Sequence, residues 1–197
     1  MQLQAHKLDL PESDIIYYPG FYDQQEADHL FAALKRDTPW QQDDIRVFGK
    51  TYPQPRLTAL YGNNGKPYSY SHITMIPQPF SEELISIKGK IEGLLPETFF
   101  TTCLMNLYRH GKDSNGWHAD DEPELGQNPV IASITLGEER AFHFKHKEKK
   151  EWRHKMILEH GSLLIMKGQT QHRWLHQIPK TARPVGERIN LTFRVIH

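Results

Sequence analysis

The sequence predicts an α+β fold, mainly β, in one domain: a closed barrel or jelly roll with N-terminal helices packed on one face. Three observations lead there. A chain of 197 residues suits one domain and can bury about 70% of its unfolded surface. Helical periodicity is confined to the first half. From residue 101 onward, short apolar runs alternate with turn residues at close spacing, as in closed all-β architectures.

The elements follow in order. Asp23 is placed to cap a helix, with Glu26 in capping-box position, and Ala27, Leu30, Phe31 and Leu34 keep i, i+3, i+4, i+7 spacing. A second helix starts at Ser81, carries the stripe Leu84, Ile87, Ile91, Leu94 and Leu95, and is stopped by Pro96. Between them, residues 45–75 read as short strands and loops, with turn signals such as GNNG. Strands are expected at 102–109, 130–136, 141–146, 152–158, 162–166 and 188–196. The single domain thus divides into an N-terminal extension and helix (1–44), a recognition region with the second helix (45–100) and a β core (101–197).

Composition excludes several classes. Hydrophobic residues are 38% and charged residues 24%, too apolar for a disordered chain. No apolar run approaches the roughly 18 residues of a membrane helix, so no membrane partner is expected. One cysteine, Cys103, rules out an internal disulfide and suits a reducing compartment. The start shows no basic segment followed by an apolar run, so no signal peptide is read. The expected location is the cytoplasm in a bacterium, with the nucleus open in a eukaryote, and the expected state is a monomer. The formal net charge is zero, which by itself speaks against a nucleic-acid binder. The distribution does not: residues 1–100 hold 9 Lys and Arg against 13 Asp and Glu, and residues 101–197 hold 15 against 11. The run KHKEKKEWRHK (145–155), with 6 basic and 2 acidic residues, accounts for the C-terminal excess. It reads most simply as a solvated hairpin, or else as a phosphate contact.

His118-Ala119-Asp120 is an H-x-D, and ligands at i and i+2 on a strand share a face and can grip one ion. Alone it is weak, since about 0.6 such triplets arise by chance in this composition. His146-Lys147-Glu148 is a rival inside the basic run, where lysines would oppose a dication. The C-terminal strand raises the odds. In RINLTFR, period 2 puts Arg188, Asn190, Thr192 and Arg194 on one face and Ile189, Leu191 and Phe193 on the other. In a barrel the polar face becomes a lining with two guanidiniums, which suit carboxylate binding. Asn106 and Tyr108 likewise share a face. Two His and one carboxylate leave three facial positions on iron(II), which suits oxygen activation with a bidentate co-substrate. Spacing leaves the third ligand open among His172, His176, His143, His154 and His160.

NLYRHGKDSNGWHADDE (106–122), HGSLLIMKGQTQHRWLHQIPK (160–180) and RINLTFR (188–194) together resemble the AlkB family, Fe(II)- and 2-oxoglutarate-dependent dioxygenases that remove alkyl groups from nucleic-acid bases. VFGK (47–50) and YSYS (68–71) extend the resemblance toward members acting on DNA. It implies a double-stranded β-helix core and the cofactors Fe(II), 2-oxoglutarate and O2. It implies His118, Asp120 and His176 as catalytic metal ligands. It assigns 2-oxoglutarate to Asn106, Tyr108, Arg188, Thr192 and Arg194, with Asn190 added from the alternation. Arg188 and Tyr108 would hold the distal carboxylate, and Arg194 would lie nearer the chelating end.

The implied substrate is an alkylated base, of the 1-methyladenine or 3-methylcytosine type, in duplex or single-stranded DNA or in RNA. Flipping such a base costs a few kcal/mol, and stacking returns roughly 1–3 kcal/mol. Tyr68, Ser69 and Tyr70 are candidates for the pocket wall, with His118 opposite. Phe48, beside Gly49 and Lys50, is a candidate wedge where the base leaves the stack. Asp121 and Glu122 are candidates for exocyclic amino groups or the positive charge of an alkylated base, and Arg56 for a phosphate. Other readings share parts of this one: a 2-oxoglutarate-dependent RNA demethylase, a 2-oxoglutarate-dependent hydroxylase of protein side chains or small molecules, and a non-catalytic jelly-roll binding module.

Overall fold

The computed structural model describes residues 3–47, 50–65, 68–70 and 73–197, with only the main chain of residues 46–47, 68–70 and 73–74. In chain order, β1 (His6–Lys7) and β2 (Asp14–Tyr18) precede α1 (Gln24–Asp37). Then come β3 (Asp44–Val47), β4 (Lys50–Pro53), β5 (Leu57–Gly62), β6 (Tyr68–Tyr70), β7 (Ile73–Met75) and α2 (Glu82–Glu92). The second half runs β8 (Thr102–Tyr108), β9 (Asn115–His118), β10 (Ile131–Gly137), β11 (Arg140–His146), β12 (Arg153–Leu158) and β13 (Ser162–Lys167). It closes with the short α3 (Thr170–Arg173), β14 (Trp174–Ile178) and β15 (Arg188–Arg194).

A seven-stranded sheet, ordered β1-β2-β13-β10-β15-β8-β5, faces a four-stranded sheet ordered β12-β11-β14-β9; β3-β4 and β6-β7 are separate hairpins. This is the jelly-roll core that the strand spacing predicts. Two apolar cores result. Ala27 and Leu34 of α1 and Leu84, Ile87 and Ile91 of α2 pack on one face of the large sheet, against Met105, Ile134, Ile165 and Leu191. The other face meets the small sheet, where Leu104, Ile131 and Leu164 oppose Phe142, Phe144, Trp174 and Ile178. Covering both faces explains why β8 and β15 are buried at every position, whereas β11 alternates between buried and half-buried. Cys103 lies in the helix-side core with no exposed surface.

The helix caps form as read. Asp23 accepts from the Glu26 amide at 2.8 Å while the Glu26 carboxylate accepts from the Asp23 amide at 3.2 Å; Ser81 accepts from the Leu84 amide. The second helix ends at Glu92, with Gly93 as its C-cap, about one turn earlier than Pro96. Leu94 and Leu95 still reach the core from the following turn. Four strands are additional to those read: β1, β2, β9 and β14. β2 pairs with β13 and so brings the N-terminal segment into the large sheet. β9 and β14, four and five residues long, form the edge of the small sheet that carries the site.

Candidate active site

His118 and His176 are register partners across the β9–β14 ladder, so both imidazoles point between the sheets. Their ring centroids are 4.3 Å apart. Asp120, two residues past His118 in chain and just beyond the end of β9, is 1% exposed. Its Oδ2 lies 3.8 Å from Nε2 of His176. Ligand atoms from all three residues lie within 4.8 Å of one another, the one such cluster among the described residues. Of the histidines left open by spacing, His176 is the one that joins His118 and Asp120 in this cluster. His172 instead accepts from the Asn128 amide, and His146 faces Glu12 at 3.0 Å. His160 bridges the Gly137 amide and Asp28, His143 faces Gln177, and His154 lies beside Phe144.

The surroundings set the chemical state of the three. Nδ1 of His118 lies 2.7 Å from the Gly116 carbonyl. A carbonyl only accepts, so Nδ1 carries the proton and Nε2 is the acceptor, facing the Asn115 side-chain amide at 3.2 Å; an ion at Nε2 would take the place of that hydrogen bond. Burial pushes the His118 imidazole below its ordinary value. Burial, with His118 adding, brings His176 down to about 3. For Asp120 burial opposes ionisation, but Arg194, His176 and His118 outweigh it and hold the carboxyl below its usual range. Arg194 Nη2 donates to Oδ1 at 2.6 Å, which leaves Oδ2 toward the histidines. Two neutral imidazoles and one carboxylate are the protonation states a divalent ion requires, and the set fits iron(II) with open facial positions.

The 2-oxoglutarate candidates come together beside this cluster. β15 pairs with β8 so that Arg188 opposes Tyr108 and Asn190 opposes Asn106. β10 sets Ser133 against Thr192 and Thr135 against Asn190. One cavity is lined by Asn106, Tyr108, Arg188, Asn190, Thr192 and Arg194, and also by the three residues of the metal cluster. Asn190 is held within the sheet, its amide donating to Ser133 at 2.7 Å and its oxygen accepting from Thr192 at 3.0 Å. Arg188 is different. It is 1% exposed, Nη2 donates to Thr135 at 2.8 Å, and Nε and Nη1 have no hydrogen-bond partner among the described residues. Burial brings its guanidinium down to about 10, with Tyr108 opposing and Arg140 adding to the shift. A buried guanidinium with two unused nitrogens facing a polar cavity is a fork shaped for a carboxylate, so the donor set fits 2-oxoglutarate.

The substrate-side residues are less gathered. Arg56 is not at a phosphate: it is 4% exposed, lines the same cavity, and donates from Nε to Asn106 Oδ1 at 2.8 Å and from Nη1 to the Ser114 carbonyl. The β3–β4 hairpin leads straight into it, so the chain carries this cation inward rather than out to solvent. Asp121 pairs with Lys147 at 2.8 Å, which ties the basic hairpin to the metal-side loop. Glu122 is half-buried before the turn Pro123–Leu125. Lys50 is exposed on β4. Tyr68, Ser69 and Tyr70 form β6, paired with β7, and their side chains lie outside the described residues, as do Phe48 and Gly49 altogether.

One residue near the metal cluster escaped the sequence reading. Gln171, fully buried, accepts from the Asp120 amide at 2.9 Å. It sits on α3, directly before the strand of His176, and so ties the two ligand-bearing segments together. It lies inside the run 160–180 that carries the family resemblance, but nothing in its type or spacing singles it out except its place five residues before a candidate ligand.

Comparison with known proteins agrees with this geometry. The model of the 2OG-Fe(II) oxygenase superfamily matches residues 14–194. Alpha-ketoglutarate-dependent dioxygenase alkB homolog 3 of Mus musculus is 45% identical over 194 residues, covering 94% of this chain and 67% of that protein. DNA oxidative demethylase ALKBH2 of Homo sapiens is 35% identical over 189 residues, covering 91% and 72%. Among solved structures, OsALKBH1 superposes with a TM-score of 0.66 at 16% identity, over 98% of this chain and 100% of that one, a likeness of fold. The chain belongs to the AlkB family of 2OG-Fe(II) oxygenases.

Proposed function

We propose that this dioxygenase carries out oxidative demethylation of N-alkylated bases in DNA, of the 1-methyladenine and 3-methylcytosine type, acting as a monomer. The observation that carries the reading is the buried cluster His118, Asp120 and His176 beside the unused guanidinium nitrogens of Arg188. Its support on the substrate side is the similarity to proteins named as a DNA oxidative demethylase and alkB homolog 3.

In this reading His118, Asp120 and His176 hold Fe(II), and Arg188 with Tyr108 takes the distal carboxylate of 2-oxoglutarate. When bound, the metal and co-substrate would supply, with O2, the oxidising power that hydroxylates the N-methyl carbon, so that the methyl group leaves as formaldehyde. The chain's own work is placement. Arg194 fixes the Asp120 carboxylate, and the Gly116 carbonyl fixes the His118 ring. Phe142, stacked on His176 at 5.3 Å, and Met166 and Ile178 in the cavity lining exclude water from the reacting end.

The test is mass spectrometry of 1-methyladenine and 3-methylcytosine oligonucleotides, single- and double-stranded, DNA and RNA, after incubation with Fe(II) and 2-oxoglutarate. Loss of the methyl group from DNA, with formaldehyde and succinate formed in step, is expected. Turnover on RNA alone would move the substrate to RNA. Succinate release unaffected by any oligonucleotide would end the nucleobase reading.

A further inference from the structure

Arg140 opens β11 and is 3% exposed, yet it forms no ion pair among the described residues. Its fork ends on main-chain carbonyls: Nη2 donates to Asp113 at 3.0 Å and to Pro179 at 2.8 Å, and Nη1 reaches His110 at 3.5 Å. The carboxylate of Asp113 is taken by Arg109, at 2.8 and 3.1 Å. Burying a guanidinium without a counter-ion is costly. Arg188, close by, is a second such cation. Both guanidinium carbons lie over the ring of Tyr108, at 5.9 Å for Arg140 and 5.3 Å for Arg188. Arg188 opens into the cavity and Arg140 does not line it. One end of the barrel therefore concentrates two buried positive charges around a single phenol; Asp113 and Glu138 stand near enough to act on Arg140, but among the described residues no carboxylate forms an ion pair with either guanidinium. That field is unfavourable for the empty protein and favourable for an arriving anion.

We infer that Arg140 is a positioning residue for the distal carboxylate of 2-oxoglutarate, bracing Tyr108 and adding a second positive charge behind Arg188, so that the pocket selects a 2-oxo diacid over a 2-oxo monoacid. The bracing is mechanical as well as electrostatic. The carbonyls of His110 and Asp113 belong to the segment that follows Tyr108, and that of Pro179 to the segment that follows β14, so one fork fixes both. The inference rests on the assignment of Arg188 and Tyr108 proposed above.

The experiment measures binding to the Mn(II)-loaded protein without nucleic acid, so the identity of the base substrate does not enter. Dissociation constants are determined by calorimetry for Mn(II), 2-oxoglutarate and 2-oxopentanoate. Arg140→Met is expected to weaken 2-oxoglutarate about tenfold, as coupled neighbours do, to shrink the preference over 2-oxopentanoate by a similar factor, and to leave Mn(II) binding unchanged. Arg140→Lys keeps the charge and loses the fork; it should bind 2-oxoglutarate more weakly than the parent while keeping most of the preference. Should the methionine variant not fold, the lysine variant decides alone: weaker 2-oxoglutarate binding with unaltered Mn(II) binding supports the role, and unaltered 2-oxoglutarate binding overturns it. Equal losses of Mn(II) and both acids would mean a purely structural residue and also overturn it. Arg188→Met is the reference. If it retains 2-oxoglutarate affinity, the pocket assignment fails; if it loses affinity and the Arg140 variants do not, this inference alone fails.

Discussion

Burial of His176 decides how the metal-free site answers to acid. The unfolded chain takes up a proton on this imidazole near its ordinary value, about 6.5, whereas the folded chain resists until about 3. Between those values the unfolded state binds the extra proton, so stability falls as pH drops through that window, by about 1.4 kcal/mol per unit for a fully depressed group. His118, also lowered, acts in the same direction. The metal-free protein should therefore lose melting temperature steadily from pH 6.5 to 4.5, and His176→Gln should flatten the profile; parallel profiles would contradict the linkage. At neutral pH, His176→Ala should abolish Mn(II) binding. Gln171→Leu should weaken it by roughly 10–100-fold, the usual effect of removing a group that orients a ligand, while Gln171→Glu, which keeps the acceptor to the Asp120 amide, should retain most of it. The ligand pair 118 and 120 was legible because it is local. His176 was not, on spacing alone, because the choice over His172 depends on the short α3, which no periodicity announces.

At the scale of elements, the strict alternation of β15 survives intact in the structure. Its polar residues line the cavity and its apolar residues enter the helix-side core, because a strand between two covered faces must divide its side chains this way. β9 and β14 were illegible for the opposite reason: they are too short for alternation to stand out, and β9 contains Gly116. The end of β10 shows how narrowly the sheet is fitted. Gly137 has φ +85, and a Cβ there would meet the Glu187 carbonyl at 2.4 Å and Phe31 at 2.6 Å. Gly137→Ala should cost about 2 kcal/mol or more, read as a fall in the denaturation midpoint, and should weaken 2-oxoglutarate binding because β15 begins at Arg188, which pairs with Gly137. Asp23→Ala, which removes only a cap, should cost about 1 kcal/mol and leave 2-oxoglutarate binding unchanged.

For the molecule as a whole, the layers assign separate work to separate faces. The helices and one side of the large sheet make a core remote from the chemistry, and the space between the sheets holds the site. The basic run forms the β11–β12 hairpin, and its Lys147 reaches Asp121 beside the cluster, so the hairpin stands next to the metal-side loop. The sequence showed the charge but not this proximity, which depends on pairings between residues far apart in the chain. If the hairpin meets DNA phosphates, Lys149→Ala and Lys150→Ala together should lower the slope of log affinity against log salt by up to about 0.9 for each phosphate no longer neutralised, with 2-oxoglutarate binding unaltered; an unchanged slope would place the DNA elsewhere. The core has one further consequence. Cys103 is the chain's single thiol, it has no exposed surface, and burial pushes its ionisation far up, so it is inert to alkylating reagents while the fold holds. A cysteine introduced anywhere on the surface would then be the sole point of attachment for a spectroscopic label, and motions of the hairpin could be followed without first removing a native residue.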